Sequence, residues 1–264
     1  MRQGSIYCIG LLSPMLLAQA STAPTPAPTP QIESSTAVPA QAWQFVTLAN
    51  QARATAGLAP LQWDAALATA AHQHCQRMAA EGNVSHRYAG EPDLSQRAAQ
   101  AGAHFSLIEE NVAVGAAPAA IHEQWMGSPE HRFALLSPDV DQVGVGVVAS
   151  GDALYVVADF ARAVPALSQA QVEAAIAGLL RAKGISVLDD PTEVRVFCAL
   201  PRGAKSSGQA GYLIRWQDAD LTQLPQSLVD HIKSGDYKKG AVGSCPPHDV
   251  EDAFTVYRVA VFLY

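Results

Sequence analysis

This chain of 264 residues is poor in positive charge. It contains 17 Lys and Arg residues against 24 Asp and Glu residues, which gives a net charge of −7, and no segment concentrates its basic residues. Nucleic-acid phosphates are bound chiefly by clustered Lys and Arg. The composition therefore excludes a nucleic-acid-binding surface, and we expect no nucleic acid among the partners.

The N-terminal region lacks an apolar run as long as a membrane span, which needs about 20 residues. Its apolar stretch, residues 6–17, is interrupted by a serine and a proline and is followed by Ala18-Gln19-Ala20, a small-x-small cleavage site. This layout predicts a signal peptide at residues 1–20. The alternative is a retained membrane anchor. With the signal cleaved, we expect no transmembrane anchor and a protein that is secreted, periplasmic or held in the cell envelope.

Cysteines are also few. Of the four, Cys8 falls within the predicted signal peptide, and Cys198 and Cys245 lie on predicted strands in the C-terminal third. In an oxidising compartment we predict a disulfide between these two, contributing about 2–4 kcal/mol of stability. Cys75 lies at helical spacing among apolar residues, which favours a small buried hydrophobe over a nucleophile.

The rest of the chain divides into a linker and two predicted domains. Prolines alternate in residues 21–41, which indicates a solvated polyproline II tether. In residues 42–163, helical patterns at 42–57, 64–81, 93–102 and 118–126 precede two strands, 142–148 and 153–160, joined by a tight turn. Helices followed by a hairpin predict an α+β domain in which helices cover the sheet.

A second domain is predicted at residues 165–264, after Pro165. Ser168 and Gln171 form a capping-box pair at the start of a helix that ends at Gly184. Strands at 194–200, 212–216 and 254–262 and a helix at 224–233 indicate a smaller α/β or α+β domain. Its role stays open between a companion domain that packs on the first and a binding module.

Several motifs of the first domain occur in a fixed order. They are Asn50-x-x-Arg53, Gly57-Leu58-x-Pro60-Leu61-x-Trp63-Asp64, Ser85-His86, Glu110-Asn111-Val112-Ala113, Trp125-x-x-Ser128-Pro129-x-His131-Arg132 and Val143-Gly144-Val145-Gly146. This series resembles the bacterial SCP-like branch of the CAP superfamily, which includes cysteine-rich secretory proteins, antigen 5 and pathogenesis-related 1 proteins. The resemblance implies an α-β-α sandwich, extracellular placement, and a cleft lined by a His/Glu/Glu/His tetrad that can hold a divalent metal.

Three cleft positions of the family match His86, Glu110 and His131. The sequence departs from the family pattern at Glu109, where the family usually has glycine, and at Ser128, where it has its second glutamate. Glu130 is a candidate substitute for that glutamate, although its neighbour His131 need not face the same way. Tyr88, beside His86, is a further candidate for the cleft lining, with an exposed loop position as the alternative.

Two imidazoles and a carboxylate suit two different roles. They can hold zinc or another divalent metal with one position open for water, as in zinc hydrolases, or they can form a hydrogen-bonded cluster that satisfies buried polar atoms. We therefore predict a binding or interaction module for a small ligand, a lipid or a cell-envelope component. The alternative is a metal-dependent hydrolase acting on peptide or cell-wall material. Enzyme status stays open.

Overall fold

The computed structural model describes residues 40–201, 211–247 and 253–264. The predicted signal peptide and nearly all of the predicted linker lie outside the described residues. Within those three ranges, no helix is both long enough and apolar enough to cross a membrane.

The described residues form eight helices and eight strands. The helices are α1 (Ala40–Thr55), α2 (Ala65–Glu81), α3 (Leu94–Gln100), α4 (Pro118–Gly127), α5 (Pro129–Leu135), α6 (Gln169–Ala182), α7 (Thr192–Ala199) and α8 (Gln226–Lys233). The strands are β1 (Gln62–Trp63), β2 (Phe105–Gly115), β3 (Gln142–Ser150), β4 (Ala153–Ala163), β5 (Ser186–Val187), β6 (Tyr212–Asp218), β7 (Lys239–Cys245) and β8 (Tyr257–Leu263).

The first sheet has the strand order β1-β3-β4-β2. β3 and β4 form the predicted hairpin, with Gly151 in the left-handed region at the turn, and β2 pairs antiparallel with β4. α1 and α4 pack on one face of this sheet and α2 on the other. Residues 40–163 therefore form the predicted α-β-α sandwich.

Close packing of α2 on the sheet depends on two glycines of β3. A Cβ atom at Gly144 would lie 2.0 Å from the Ala68 amide nitrogen, and one at Gly146 would lie 2.5 Å from the Ala71 carbonyl carbon. The side chains of α2 that face the sheet are small or flexible, and Ala71, Cys75 and Met78 are fully buried. The helix backbone thus lies directly against the strand.

Local signals in the sequence set several helix ends. The Asp64 side chain accepts a hydrogen bond from the Leu67 amide at the start of α2, and Gly82 adopts the left-handed conformation after its last turn. Capping boxes, including the predicted pair of Ser168 and Gln171, begin α3 and α6. These side chains satisfy backbone groups that a helix end leaves unpaired.

The strand predicted at 194–200 is wrong, because these residues belong mostly to α7. Val194, Phe197 and Cys198 are the buried residues of this segment, and their spacing is that of one helix face. The β-branched valines favoured a strand in the sequence, but burial against the second sheet decides for helix. Cys198 therefore lies on a helix, and the predicted Cys198–Cys245 disulfide is confirmed, joining α7 to β7.

The second sheet has the strand order β5-β7-β8-β6. Its core is formed by α6 and α8 on one side and by α7 on the other. The segment before β8 contacts the first sheet: the Thr255 amide donates to the Phe105 carbonyl at 2.9 Å, and the Phe105 and Phe254 rings meet edge to face. The predicted division into two domains at Pro165 stays a prediction.

Candidate functional site

The candidate site is built on β2, an edge strand of the first sheet. Successive side chains of a strand point to opposite faces. Glu110 and Val112 face α2, whereas Asn111 and Ala113 face the side covered by α1 and α4. The motif Glu110-Asn111-Val112-Ala113 therefore sends its two polar side chains to opposite sides of the sheet.

Glu110 is held by two cationic partners. Its Oε1 atom lies 2.7 Å from His86 Nδ1, and its Oε2 atom lies 2.5 Å from an Nη atom of Arg97. The Glu110 and Arg97 side chains are 2% and 6% exposed, whereas the His86 side chain is 62% exposed. The structure thus presents one accessible imidazole backed by a buried ion pair.

Arg97 also fixes the backbone that carries His86. Its guanidinium donates to the carbonyl of His86 at 3.2 Å and to that of Pro92 at 3.3 Å. Because α3 supplies this arginine, the helix, the histidine loop and the strand meet at one point. Sequence analysis missed Arg97, although the predicted helix at 93–102 contained it.

A second carboxyl group, that of Asp159, lies beside Glu110. The two residues are cross-strand partners on β4 and β2, and Asp159 is completely buried. Neither of its oxygens receives an N–H or O–H donor from the described residues. Burial raises the pKa of this carboxyl well above its ordinary value of 3.8, and the nearby charge of Glu110 raises it further. Burial beside Glu110 therefore favours the protonated, neutral form of Asp159.

The electrostatics of this cluster act on His86. The hydrogen bond to Glu110 raises the pKa of the imidazole above its ordinary 6.5, against the opposing effect of burial. Nδ1 is directed at Glu110, so Nε2 is the nitrogen left for a ligand. The site therefore offers a hydrogen-bond donor that stays positively charged to a higher pH than a free histidine.

A buried histidine supports the loop that carries His86. His74 of α2 contacts Glu91 Oε1 at 2.7 Å through Nδ1 and the Ser85 carbonyl at 2.8 Å through Nε2. The other oxygen of Glu91 accepts from the Tyr88 amide. Both ring nitrogens therefore bind the chain on either side of His86.

His131 does not join the pair. Its backbone carbonyl accepts from the Asn111 side chain at 2.8 Å, so the start of α5 packs on the face of β2 opposite to Glu110. Among residues 40–201, 211–247 and 253–264, no group of three or more His, Cys, Asp and Glu residues is placed to hold a metal ion.

Glu110 is instead engaged by protein donors, since His86 and Arg97 each contact one of its oxygens. The residues present do not fit the three-ligand metal site implied by the family resemblance.

The other predicted cleft residues lie apart from His86 or serve its loop. Ser128 lies at the junction of α4 and α5, and its hydroxyl donates to Glu130 at 2.9 Å on the protein surface. Tyr88 donates its hydroxyl to the Asn83 carbonyl at 2.7 Å. Ser128 and Glu130 thus bind each other, and Tyr88 closes its own loop.

Comparison with known proteins agrees with this fold. Residues 46–160 match the model of the Cysteine-rich secretory protein family, CAP. The chain is similar to two Bacillus subtilis proteins: the uncharacterized membrane protein YlbC, 36% identical over 106 residues, and the uncharacterized protein YkwD, 29% identical over 141 residues. These matches cover 39% and 50% of this chain, but only 30% and 54% of the relatives' own lengths.

The chain is also similar to solved structures. An extracellular SCP-domain protein from Bacillus anthracis is 28% identical with a TM-score of 0.44, over 46% of this chain and 40% of its own. A cysteine-rich secretory protein from Staphylococcus aureus is 24% identical with a TM-score of 0.39, over 48% and 40%. The assignment of residues 46–160 to the CAP family rests on the family model and on the motifs that meet at β2.

Proposed function

We propose that this chain is an exported CAP-domain protein that acts as a binding module. Its cleft, centred on His86, takes a small ligand or cell-envelope component through an acceptor group such as a carboxylate. One observation carries this proposal: His86 is the exposed member of an otherwise buried cluster, and its Nδ1 atom is tied to Glu110 at 2.7 Å. A ring oriented in this way presents Nε2–H to solvent in a fixed direction.

The charge of the cluster supports an anionic or acceptor-bearing ligand. Arg97 and His86 supply two positive charges, Glu110 supplies one negative charge, and Asp159 is neutral. The excess positive charge lies on the only one of these side chains that is largely exposed. A lipid would meet this requirement through its headgroup.

Export is supported by the sequence and by the disulfide. The N-terminal signal pattern directs a chain out of the cytoplasm, and disulfides persist mainly in oxidising compartments. The Cys198–Cys245 bond supports such an environment for the folded protein.

The alternative, a metal-dependent hydrolase, has weaker support. It requires several ligands around one ion, and among residues 40–201, 211–247 and 253–264 no group of three or more His, Cys, Asp and Glu residues is placed to hold one. The binding module needs no such group.

The test is an NMR titration of the purified, signal-free protein. The probes are N-acetyl-D-alanyl-D-alanine, a cell-wall peptide fragment with a free carboxylate, inorganic phosphate, and zinc chloride. We expect saturable shifts of the His86 ring with at least one anion, lost in His86→Gln but kept in the matched variant His72→Gln. Zinc binding that needs both His86 and His131, without any anion effect, would overturn the proposal in favour of the metal alternative.

A further inference from the structure

The two sheets of this protein share one topology. In the first, a two-residue strand runs parallel to β3, which pairs antiparallel with β4, which pairs antiparallel with the edge strand β2. In the second, a two-residue strand runs parallel to β7, which pairs antiparallel with β8, which pairs antiparallel with the edge strand β6. Along the chain the elements also follow the same course, helix, short strand, helix, edge strand, helical connection and hairpin.

We propose that residues 167–264 are a second, shortened copy of the fold formed by residues 40–163. In this second copy, apolar side chains fill the positions of the two carboxyl groups, Glu110 and Asp159. The protein therefore carries one polar cleft on a duplicated scaffold, and its C-terminal region descends from the same fold rather than from an unrelated domain.

The first helices of the two copies end in the same way. In the first copy the Gly57 amide donates to Ala54 and the Leu58 amide to Arg53, three and five residues back. In the second copy the Gly184 amide donates to Arg181 and the Ile185 amide to Leu180, with the same spacing. Both glycines have positive φ, 74° and 86°. This is the Schellman motif in both cases.

The same alignment matches the buried faces of the two helices. When Gly57 is aligned with Gly184, three buried residues of α1 align with three buried residues of α6. The matched residues are Phe45, Ala49 and Arg53 in α1, and Val172, Ile176 and Leu180 in α6.

The second helices pack on their sheets through equivalent glycines. Pairing of the short strands matches Gln142 of β3 with Lys239 of β7, which places Gly146 on Gly243. A Cβ at Gly146 would meet Ala71 and His72, and one at Gly243 would meet Val194 and Arg195. The contacted residues lie four and three positions before a cysteine in each helix, namely Cys75 in α2 and Cys198 in α7.

The two cysteines make the same contact in this register. The Cys75 thiol lies against the Tyr155 carbonyl of β4, and Cys198 Sγ lies against the Arg258 carbonyl of β8. Strand pairing places Val157 opposite Gly146 and Ala260 opposite Gly243, so each carbonyl belongs to the residue two positions before that partner. One alignment of the two copies therefore matches the helix ends, the buried helix faces, the glycines under the second helices and the cysteine contacts.

This alignment shows what has replaced the site. Glu110 and Asp159, which pair across β2 and β4, correspond to Leu213 and Phe262, which pair across β6 and β8. Phe262 is fully buried and packs edge to face on Phe197, the residue just before Cys198. An apolar core thus occupies the place of the polar cluster.

A cysteine at position 148 tests the equivalence. In the alignment Val148 of β3 corresponds to Cys245, the disulfide partner of Cys198, and Val148 packs against the cluster that contains Cys75. We expect the full chain with Val148→Cys, prepared under oxidising conditions, to form a bond between Cys75 and the new thiol. Peptide mapping would detect this bond beside Cys198–Cys245, and the thermal midpoint would rise by several degrees.

The matched control is Val147→Cys, because Val147 faces α1 on the opposite side of the sheet. Its thiol should remain free. A folded Val148→Cys protein with both thiols unlinked would overturn the proposal. An experimental structure of the unaltered chain gives a second readout: the order β5-β7-β8-β6 with Cys198 against the Arg258 carbonyl is expected, and any other strand order contradicts the duplication.

Discussion

Asp159 is a carboxyl group buried beside a second carboxylate, with no donor directed at it. Transferring an ionised carboxylate into such a place is costly, so the group takes up a proton instead. In its neutral form Asp159 leaves the cluster with a single negative charge, that of Glu110.

Replacing Asp159 by asparagine should retain the fold and change its pH dependence. Because the folded-state pKa of Asp159 is raised, the native protein holds one more proton than the unfolded chain above about pH 3.8. The stabilising contribution is complete below that pH and falls as pH rises, by about 1.4 kcal/mol per unit until the native carboxyl ionises. Asp159→Asn removes this dependence of the unfolding free energy on pH.

Urea unfolding between pH 4 and pH 7 measures the effect. We expect the variant to gain stability relative to the unaltered protein as pH rises, since Asn does not titrate. Parallel pH profiles for the two proteins would show that Asp159 is ionised in the native state.

Sequence motifs identified part of this site. His86 and Glu110 were found because the family motifs carry them. Arg97 and Asp159 were missed because their roles depend on the meeting of α3, β2 and β4, which no local pattern encodes. The opposite directions of Glu110 and Asn111 were not foreseen, because β2 was not predicted as a strand and its alternation therefore could not be applied.

At the scale of elements, α2 can pack closely on β3 because Gly144 and Gly146 of the strand have no side chain. Gly146 lies under the backbone of Ala71 and His72, and the atoms that a methyl group would meet are main-chain atoms. Such atoms cannot rotate away as a side chain can, so the helix itself would have to move.

Gly146→Ala should therefore destabilise the protein by about 3 kcal/mol. The matched control is Gly178→Ala, at an exposed position within α6 where a Cβ meets nothing within 4 Å. Because alanine favours a helix over glycine, the control should stabilise by up to about 1 kcal/mol. Denaturant unfolding of both variants checks the pair, and equal effects would refute the packing argument.

Elements with strong local signals were predicted well. The capped helices α2, α3 and α6 and the β3–β4 hairpin lie close to their predicted positions. β2 was missed because Glu109, Glu110 and Asn111 interrupt its apolar pattern, and these are residues whose polarity serves the site and its neighbours. The short strands β1 and β5 contain two residues each, too few for any periodicity to show.

At the scale of the whole molecule, the same architecture is stabilised in two ways. In residues 40–163 the polar cluster lies on one face of the sheet. Cys75 is a free, buried thiol, and burial raises its pKa to about 12. The second sheet has apolar side chains at the positions equivalent to Glu110 and Asp159, and a disulfide from helix to strand. The C-terminal region has fewer residues from which to build a core, and the disulfide offsets the smaller stabilisation from packing.

Removing the disulfide should therefore weaken the C-terminal region. The bond closes a loop with a sequence separation of 47, for which the chain-entropy model gives about 4 kcal/mol. The double variant Cys198→Ala and Cys245→Ala should unfold at lower urea concentration than the unaltered protein. Dithiothreitol should lower the midpoint of the unaltered protein and leave that of the variant unchanged. An equal response of both proteins to reductant would contradict this role.

The most direct measurement of the site is the pH titration of the His86 ring by NMR in the unaltered protein and in Glu110→Gln. We expect the His86 pKa to lie above its ordinary 6.5 in the unaltered protein and to fall in the variant, because the hydrogen bond from Nδ1 to the Glu110 carboxylate is the main cause of the shift. The ring signals of His72, a residue of α2 outside the Glu110 cluster, serve as the internal control. A His86 pKa of about 6.5 that ignores Glu110→Gln would contradict the paired cluster on which the proposed cleft depends.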